Sequence, residues 1–180
     1  FEGWGFDEAF LDVSSKGSFE EAEKLAQEIK REILEKEKLT CSIGVGPNKL
    51  LAKIASDFQK PNGLTVVREE DVKKFLQPLP VDKLLGVGRK TERKLHEMKI
   101  KTIGDLAKYD PSQLIERFGG VLGTQFHLMA NGIDRSEVIE EWEAKSISRE
   151  FTFEEDTSDQ GLIYKTLDKL CEQVHNDVKN

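Results

Sequence analysis

Thr40-Cys41-Ser42-Ile43-Gly44-Val45-Gly46-Pro47-Asn48-Lys49-Leu50-Leu51-Ala52-Lys53-Ile54-Ala55-Ser56-Asp57-Phe58 changes period partway along. Thr40 to Gly46 reads as a short strand, with Thr40, Ile43 and Val45 as its β-branched members. Pro47 suits the first position of a helix. Leu50, Leu51, Ile54, Ala55 and Phe58 then recur at helical spacing, leaving Lys49 and Lys53 one turn apart on the polar side. Lys60-Pro61-Asn62-Gly63 predicts a tight reversal, because Pro and Asn-Gly both break helices. Leu64 to Val67 predicts a strand after it. Upstream, Phe19, Ala22, Leu25, Ala26, Ile29, Ile33 and Leu34 form another helical stripe, and Ser18 with Glu21 has the form of a capping box. The first 67 residues therefore alternate strands and helices, which predicts helices packed on a sheet.

The chain opens on Gly5-Phe6-Asp7-Glu8-Ala9-Phe10-Leu11-Asp12-Val13. Ala9, Leu11 and Val13 alternate with Phe10 and Asp12, so this stretch predicts a strand with Ala9, Leu11 and Val13 on its buried face. Two adjacent carboxylates in mid-strand point to opposite faces and cannot share a ligand. At a strand mouth or hairpin tip, with Gly5 loosening the backbone, Asp7 and Glu8 can turn toward one ion. Hard carboxylate oxygens suit Mg²⁺, which usually takes only one or two of them besides phosphates. A charged turn ahead of a core strand is the other reading of the same residues.

The pattern changes near Arg68. From there to Gly132 the sequence predicts short helices punctuated by glycine and proline, a small all-helical domain. Ile133 to Lys145 is acidic and reads as a linker. Ser146 to Phe153 alternates again and predicts a strand. Leu162 to Val178 then has helical spacing. One strand and one helix are too few to close a core, so this third unit reads as the beginning of a domain, and the chain as a piece of a longer protein.

Composition narrows the class. Charged residues make up 34% and the formal net charge is −7. That sum is uneven: residues 134–159 hold ten acidic and three basic side chains, and the rest of the chain balances. Arg89, Lys90, Arg93, Lys94, Lys99 and Lys101 lie together against only Glu92 and Glu97, a basic face inside an acidic total. No apolar run of membrane-spanning length and no signal peptide is visible. Cys41 and Cys171 are too few and too distant for a disulfide framework, consistent with a reducing cytoplasm. His96, His127 and His175 have no ligand spacing.

Leu85-Gly86-Val87-Gly88-Arg89-Lys90 has the form of a tight turn between two short helices. Backbone N–H groups of such a nest, at a helix N-terminus, suit a phosphate oxygen, and the following cations add attraction. This segment resembles the helix-hairpin-helix family of DNA-backbone binders. Gly120-Val121-Leu122-Gly123 looks like a degenerate second copy. A purely structural turn is the alternative for both. A dinucleotide fingerprint is excluded, since Thr91 stands where a third glycine is required and the flank is helical. Lys60 either meets a phosphate as a point charge or is an ordinary surface lysine.

Taken in order, these segments resemble one family. Phe6-Asp7-Glu8-Ala9-Phe10-Leu11-Asp12 is similar to the S-[IL]-D-E-A-[YF]-L-D segment of Y-family DNA polymerases, nearest their DinB-like branch. Cys41 to Ser56 resembles the family's S-[IV]-G-[IV]-x-x-N-K-x-x-A-K-x-A-[SA] segment, and Lys60 to Gly63 its K-P-N-G turn. The resemblance implies an α+β fold. Residues 1–67 would be the C-terminal part of a palm, a sheet with packed helices. Residues 68–132 would be an all-helical helix-hairpin-helix thumb, 133–145 a linker, and 146–180 the start of an α/β little-finger domain.

The same resemblance implies metal-dependent nucleotidyl transfer from a dNTP to a primer 3′-hydroxyl during damage bypass. Asp7 and Glu8 would be two of three carboxylates around two Mg²⁺ ions, and Lys60 would touch the triphosphate. Gly86, Gly88, Arg89, Lys90, Gly120 and Gly123 would hold primer-template DNA. The third carboxylate and the aromatic steric gate belong to an N-terminal motif upstream of Phe1, so this portion alone is expected to be inactive. A sliding clamp would be bound by a segment beyond Asn180, the source would be archaeal or bacterial, and the site of action the cytoplasm at the nucleoid. The one departure is Gly5, beside Trp4, where the family usually has Ser. Two other classes fit part of the pattern: a non-catalytic helix-hairpin-helix DNA-binding module and a metal-dependent repair nuclease.

Overall fold

The computed structural model describes residues 1–140 and 145–179. It is a mixture of helix and sheet in two units, 1–139 and 140–180. Residues 141–144 of the expected linker, and Asn180, lie outside the described residues.

The first unit begins with an antiparallel hairpin, β1 (Glu2–Trp4) and β2 (Glu8–Phe10), in which Glu2 faces Phe10 and Trp4 faces Glu8. The expected buried face is inverted. Phe10 is covered, whereas Ala9 and Leu11 are exposed. Strand pairing ends at Phe10, and Asp12 accepts a hydrogen bond from the Ser14 amide to start a short 3₁₀ turn, so Leu11 and Val13 never extend the strand. The covered face carries Trp4 and Phe10 in an edge-to-face pair, with the Lys49 ammonium 4.9 Å from the Phe10 ring centre.

α1 (Phe19–Glu37) starts at Ser18, whose hydroxyl accepts from the Glu21 amide. The reciprocal half of the expected capping box is replaced by an ion pair, because the Glu21 carboxylate takes Lys24 at 2.6 Å. β3 (Ile43–Val45) and β4 (Leu64–Val66) are parallel and joined through α2 (Lys49–Phe58), a βαβ unit. Pro47 lies outside that helix rather than at its first position. Asn48 is the cap, its side-chain oxygen accepting from the Leu51 amide. Gly44 is required by packing: a Cβ there lies 2.0 Å from the Ala52 carbonyl oxygen.

Beyond β4 come α3 (Val72–Leu76), α4 (Arg89–Glu97), α5 (Ile103–Lys108), α6 (Pro111–Phe118) and α7 (Gly120–Ala130), with a single isolated bridge between Pro80 and Thr102. Leu76, Val81, Leu84, Leu95, Ile100, Ile103, Leu106 and Leu114 are almost wholly buried. The same core takes in Leu50, Leu51 and Ile54 from α2, so packing runs without a break past Arg68.

In the second unit, Ser146–Phe153 forms no strand. A strand needs a partner for its N–H and C=O groups, and the described residues supply none. α8 (Gln160–Lys179) follows, its Leu162 amide donating to Asp159, and Arg149 pairs with Asp177. No described residue of this unit is buried. No described helix is long and apolar enough to cross a membrane.

Candidate active site and nucleic-acid interface

Asp7 and Glu8 stand at a hairpin tip, as their polarity required. Gly5 has φ +67°, the left-handed conformation that lets β1 reverse into β2. That is the conformational reason for glycine at the position where the resembling family has serine. Asp7 is exposed in the turn and Glu8 is the first residue of β2.

Two lysines from other parts of the chain meet this tip, and Asp57 joins them. Lys53, one turn beyond Lys49 on α2, donates to Glu8 Oε1 at 2.6 Å and lies 3.1 Å from Asp57. Lys60 lies 2.6 Å from Asp57 and 3.6 Å from Glu8 Oε1. Burial raises the Asp57 pKa, but the hydrogen bonds from Lys60 and Lys53 outweigh it and leave Asp57 below the usual carboxylate range. The Asp57 hydrogen bond in turn raises Lys60, which therefore stays cationic at neutral pH. Lys60 is half exposed.

The turn bearing Lys60 is fixed from α1. Lys30 donates to the Cys41 carbonyl, to Asn62 Oδ1 at 2.7 Å and to the Gly63 carbonyl at 3.2 Å. On sequence, Lys30 is one lysine among many on a solvated helix face, and nothing in the pattern marks it. Lys53 was legible as a position on α2 but not as the partner of Glu8.

Asp7 and Glu8 supply hard oxygen donors of the type that Mg²⁺ takes. Among the described residues no three His, Cys, Asp or Glu side chains gather into a metal site. The tip thus offers two adjacent carboxylates, with Glu8 held by Lys53 and Lys60 and Asp7 exposed in the turn.

The thumb-like helices present the first glycine turn as expected. Gly86 has φ +80°, and α4 begins at Arg89 behind Gly88, which supplies no side-chain cap. The first amides of α4 have no intrahelical acceptor. Arg89, Lys90, Arg93 and Lys94 are exposed on that helix, and none pairs with a carboxylate among the described residues. The second copy differs. Gly119, with φ +86°, makes the turn, and Gly120 is exposed at the start of α7. Gly123 is buried, its amide bonded to the Gly119 carbonyl and its Cα against α6, where a Cβ would lie 2.5 Å from the Ile115 nitrogen. Gly123 therefore packs α7 on α6, and its amide is taken up inside the helix, unlike the exposed Gly120. Val121 and Leu122 follow Gly120 where the first copy has Arg89 and Lys90, and both are exposed.

Comparison with known proteins adds ancestry to this geometry. A profile of the impB/mucB/samB family matches residues 1–57, and one described as DNA polymerase-iota, thumb domain, matches residues 82–134. DNA polymerase IV of Methanoculleus marisnigri is 51% identical over 168 residues, covering 93% of this chain and 46% of the relative. DNA polymerase IV 2 of Methanosarcina mazei is 49% identical over 177 residues, covering 97% and 47%. Among solved structures, a Y-family DNA polymerase chimera superposes with a TM-score of 0.78 at 37% identity, covering 92% of this chain and 48% of its own. DinB from Sulfolobus solfataricus superposes with a TM-score of 0.66 at 37% identity, covering 92% and 49%. The chain spans about half the length of the relatives it matches. With the hairpin carboxylates, the K-P-N-G turn and the helix-hairpin-helix in the same order, the chain belongs to the DinB-like branch of the Y-family DNA polymerases.

Proposed function

We propose that this chain is the inner half of a translesion DNA polymerase, with residues 1–67 as the later part of the palm, 68–132 as the thumb, 133–145 as the linker and 146–180 as the opening of the little finger. The observation that carries this reading is the convergence of Lys53 and Lys60 on Glu8 at an exposed hairpin tip beside Asp7.

Asp7 and Glu8 hold divalent cations, two Mg²⁺ in the intact enzyme, together with a third carboxylate from another segment. When bound, such ions activate a hydroxyl and offset phosphate charge. Lys53 holds the Glu8 carboxylate in place along the tip through its 2.6 Å bond to Oε1. Lys60, already cationic and half exposed, shifts from Asp57 toward the triphosphate of an incoming dNTP. The amides at Gly86, Gly88 and Gly120, with Arg89 and Lys90, hold the phosphates of primer-template DNA without reading bases. That sequence-independent grip suits copying across damage. A sliding clamp recruits the enzyme through a segment outside this chain, at the nucleoid in the cytoplasm.

The test is primer extension by the full-length protein. Asp7→Ala and Glu8→Ala should each lower extension at least about a hundredfold while leaving duplex binding intact, since removing one group that stabilises developing charge has effects of that size. Undiminished extension by both would remove the metal site from this tip. Absence of any extension by the unaltered enzyme, with DNA still bound, would favour a non-catalytic DNA-binding module or a repair nuclease.

A further inference from the structure

Glu2 is the one polar side chain buried among the described residues, at 1% exposure. Each carboxylate oxygen accepts from Lys49 Nζ at 2.7 Å, and Oε2 also accepts from the backbone amide of Ile139 at 2.8 Å. Lys49 reaches on to the Glu137 carbonyl at 3.2 Å. A second pair of bonds lies beside the first. The Asn48 side-chain Nδ2 donates to the Gly132 carbonyl at 2.9 Å, and the Leu50 backbone amide donates to Asp134 Oδ2 at 3.0 Å. Asp134 thus satisfies one of the orphan amides in the first turn of α2, while its other oxygen holds the Ser136 amide and hydroxyl.

The bonds from Gly132, Asp134, Glu137 and Ile139 join residues 132–139, which form neither helix nor strand, to β1 and the N-terminus of α2, and the Glu2–Lys49 pair ties those two elements together. A buried ion pair is a weak source of net stability, because desolvation offsets its attraction, but removing one partner leaves a costly unpaired charge. Such a pair holds a position firmly. The position held here is the end of the first unit, since the second begins at Glu140.

We propose that Glu2 and Lys49 form a latch that seats residues 132–139 across the start of α2 and fixes the point where the chain leaves the first unit, one helical turn from the lysine that holds Glu8. The segment read on sequence as an acidic linker is, up to Ile139, a strap with a defined seat. Seated, it completes the first turn of α2. Released, it leaves the Leu50 amide without its acceptor and Glu2 without the Ile139 amide. Lys49 and Lys53 share α2, so the strap and the Glu8 contact stand on one rigid support.

Hydrogen–deuterium exchange on the full-length protein tests the latch without reference to polymerase activity. In Lys49→Met, and in the isosteric Glu2→Gln, the Ile139 and Leu50 amides should exchange at least about tenfold faster than in the unaltered protein, as expected for loss of a charge-assisted hydrogen bond. Leu95 and Leu106 amides, in the helical core, should keep their protection. Lys49→Arg, which retains the cation, should stay within about threefold of the unaltered protein at Ile139. Unchanged protection at Ile139 in both Lys49→Met and Glu2→Gln would overturn the latch. So would equal acceleration at Leu95 and Leu106, which would make the pair a contributor to global stability alone.

Discussion

Gly120 and Gly123 stand three positions apart in α7 with opposite surroundings. A Cβ on Gly120 meets nothing within 4 Å, whereas one on Gly123 meets the backbone of Leu114 and Ile115 at 2.5–2.6 Å. Backbone cannot swing aside as a flexible side chain can. Gly123→Ala should therefore destabilise the fold by about 1–3 kcal/mol, the usual cost of overpacking, and Gly120→Ala should leave the melting temperature nearly unchanged. Thermal unfolding of the two variants compares them directly, and equal melting temperatures would contradict the packing role of Gly123. The glycine spacing was legible in the sequence, but the division of labour was not. It depends on how closely α6 approaches α7, and that approach is set by side chains elsewhere, such as the edge-to-face pair of Phe118 and Phe126.

At the scale of elements, α5 carries the most complete cap. Thr102 Oγ1 accepts from the Asp105 amide, and the Asp105 carboxylate accepts from the Thr102 and Lys101 amides. These backbone bonds hold the Asp105 carboxyl below its ordinary value of 3.8. A depressed folded-state pKa means stabilisation that is present above 3.8 and lost as pH falls through the folded-state value. Asp105→Asn should thus cost about 1 kcal/mol or less at pH 7, in keeping with an exposed cap. The gap from the unaltered protein should close below about pH 3.8, as read by thermal unfolding across that range. Helices such as α2 were legible because their apolar periodicity reports directly on burial. The face of β2 was not, because a three-residue strand is governed by its partners. Glu2, Trp4 and Lys49 decide which side of it is covered, and all three lie outside the strand itself. Asp7 and Glu8 are singled out by their neighbours in sequence, while Lys30 and Lys53 act across space from helix faces that look solvated.

Over the whole molecule, the net charge of −7 conceals a basic surface on α4. Arg89 and Lys90 are exposed and without carboxylate partners among the described residues, so their charges remain available to phosphates. Replacing both by Ala in the full-length protein should weaken duplex binding similarly for unrelated sequences. The slope of log affinity against log salt should fall in magnitude by about 2, close to one counterion per phosphate contact. An unchanged slope in salt titrations would detach the first glycine turn from DNA. The acidic total is itself no barrier, because screening limits each charge to its surroundings within about 10 Å at 0.1 M salt.

The Asn48–Gly132 and Leu50–Asp134 bonds each bridge 84 positions of chain. On a ribosome, α2 emerges long before the residues that finish its first turn. Glu2 waits longer still, since its amide partner is Ile139. A nascent chain that has exposed Asp7, Glu8 and Lys53 therefore lacks the contacts that fix their supporting helix until the thumb has been synthesised. Translation order thus sets assembly order: the carboxylate tip is made early and braced late, and a chain that stops before Gly132 carries the tip without its brace.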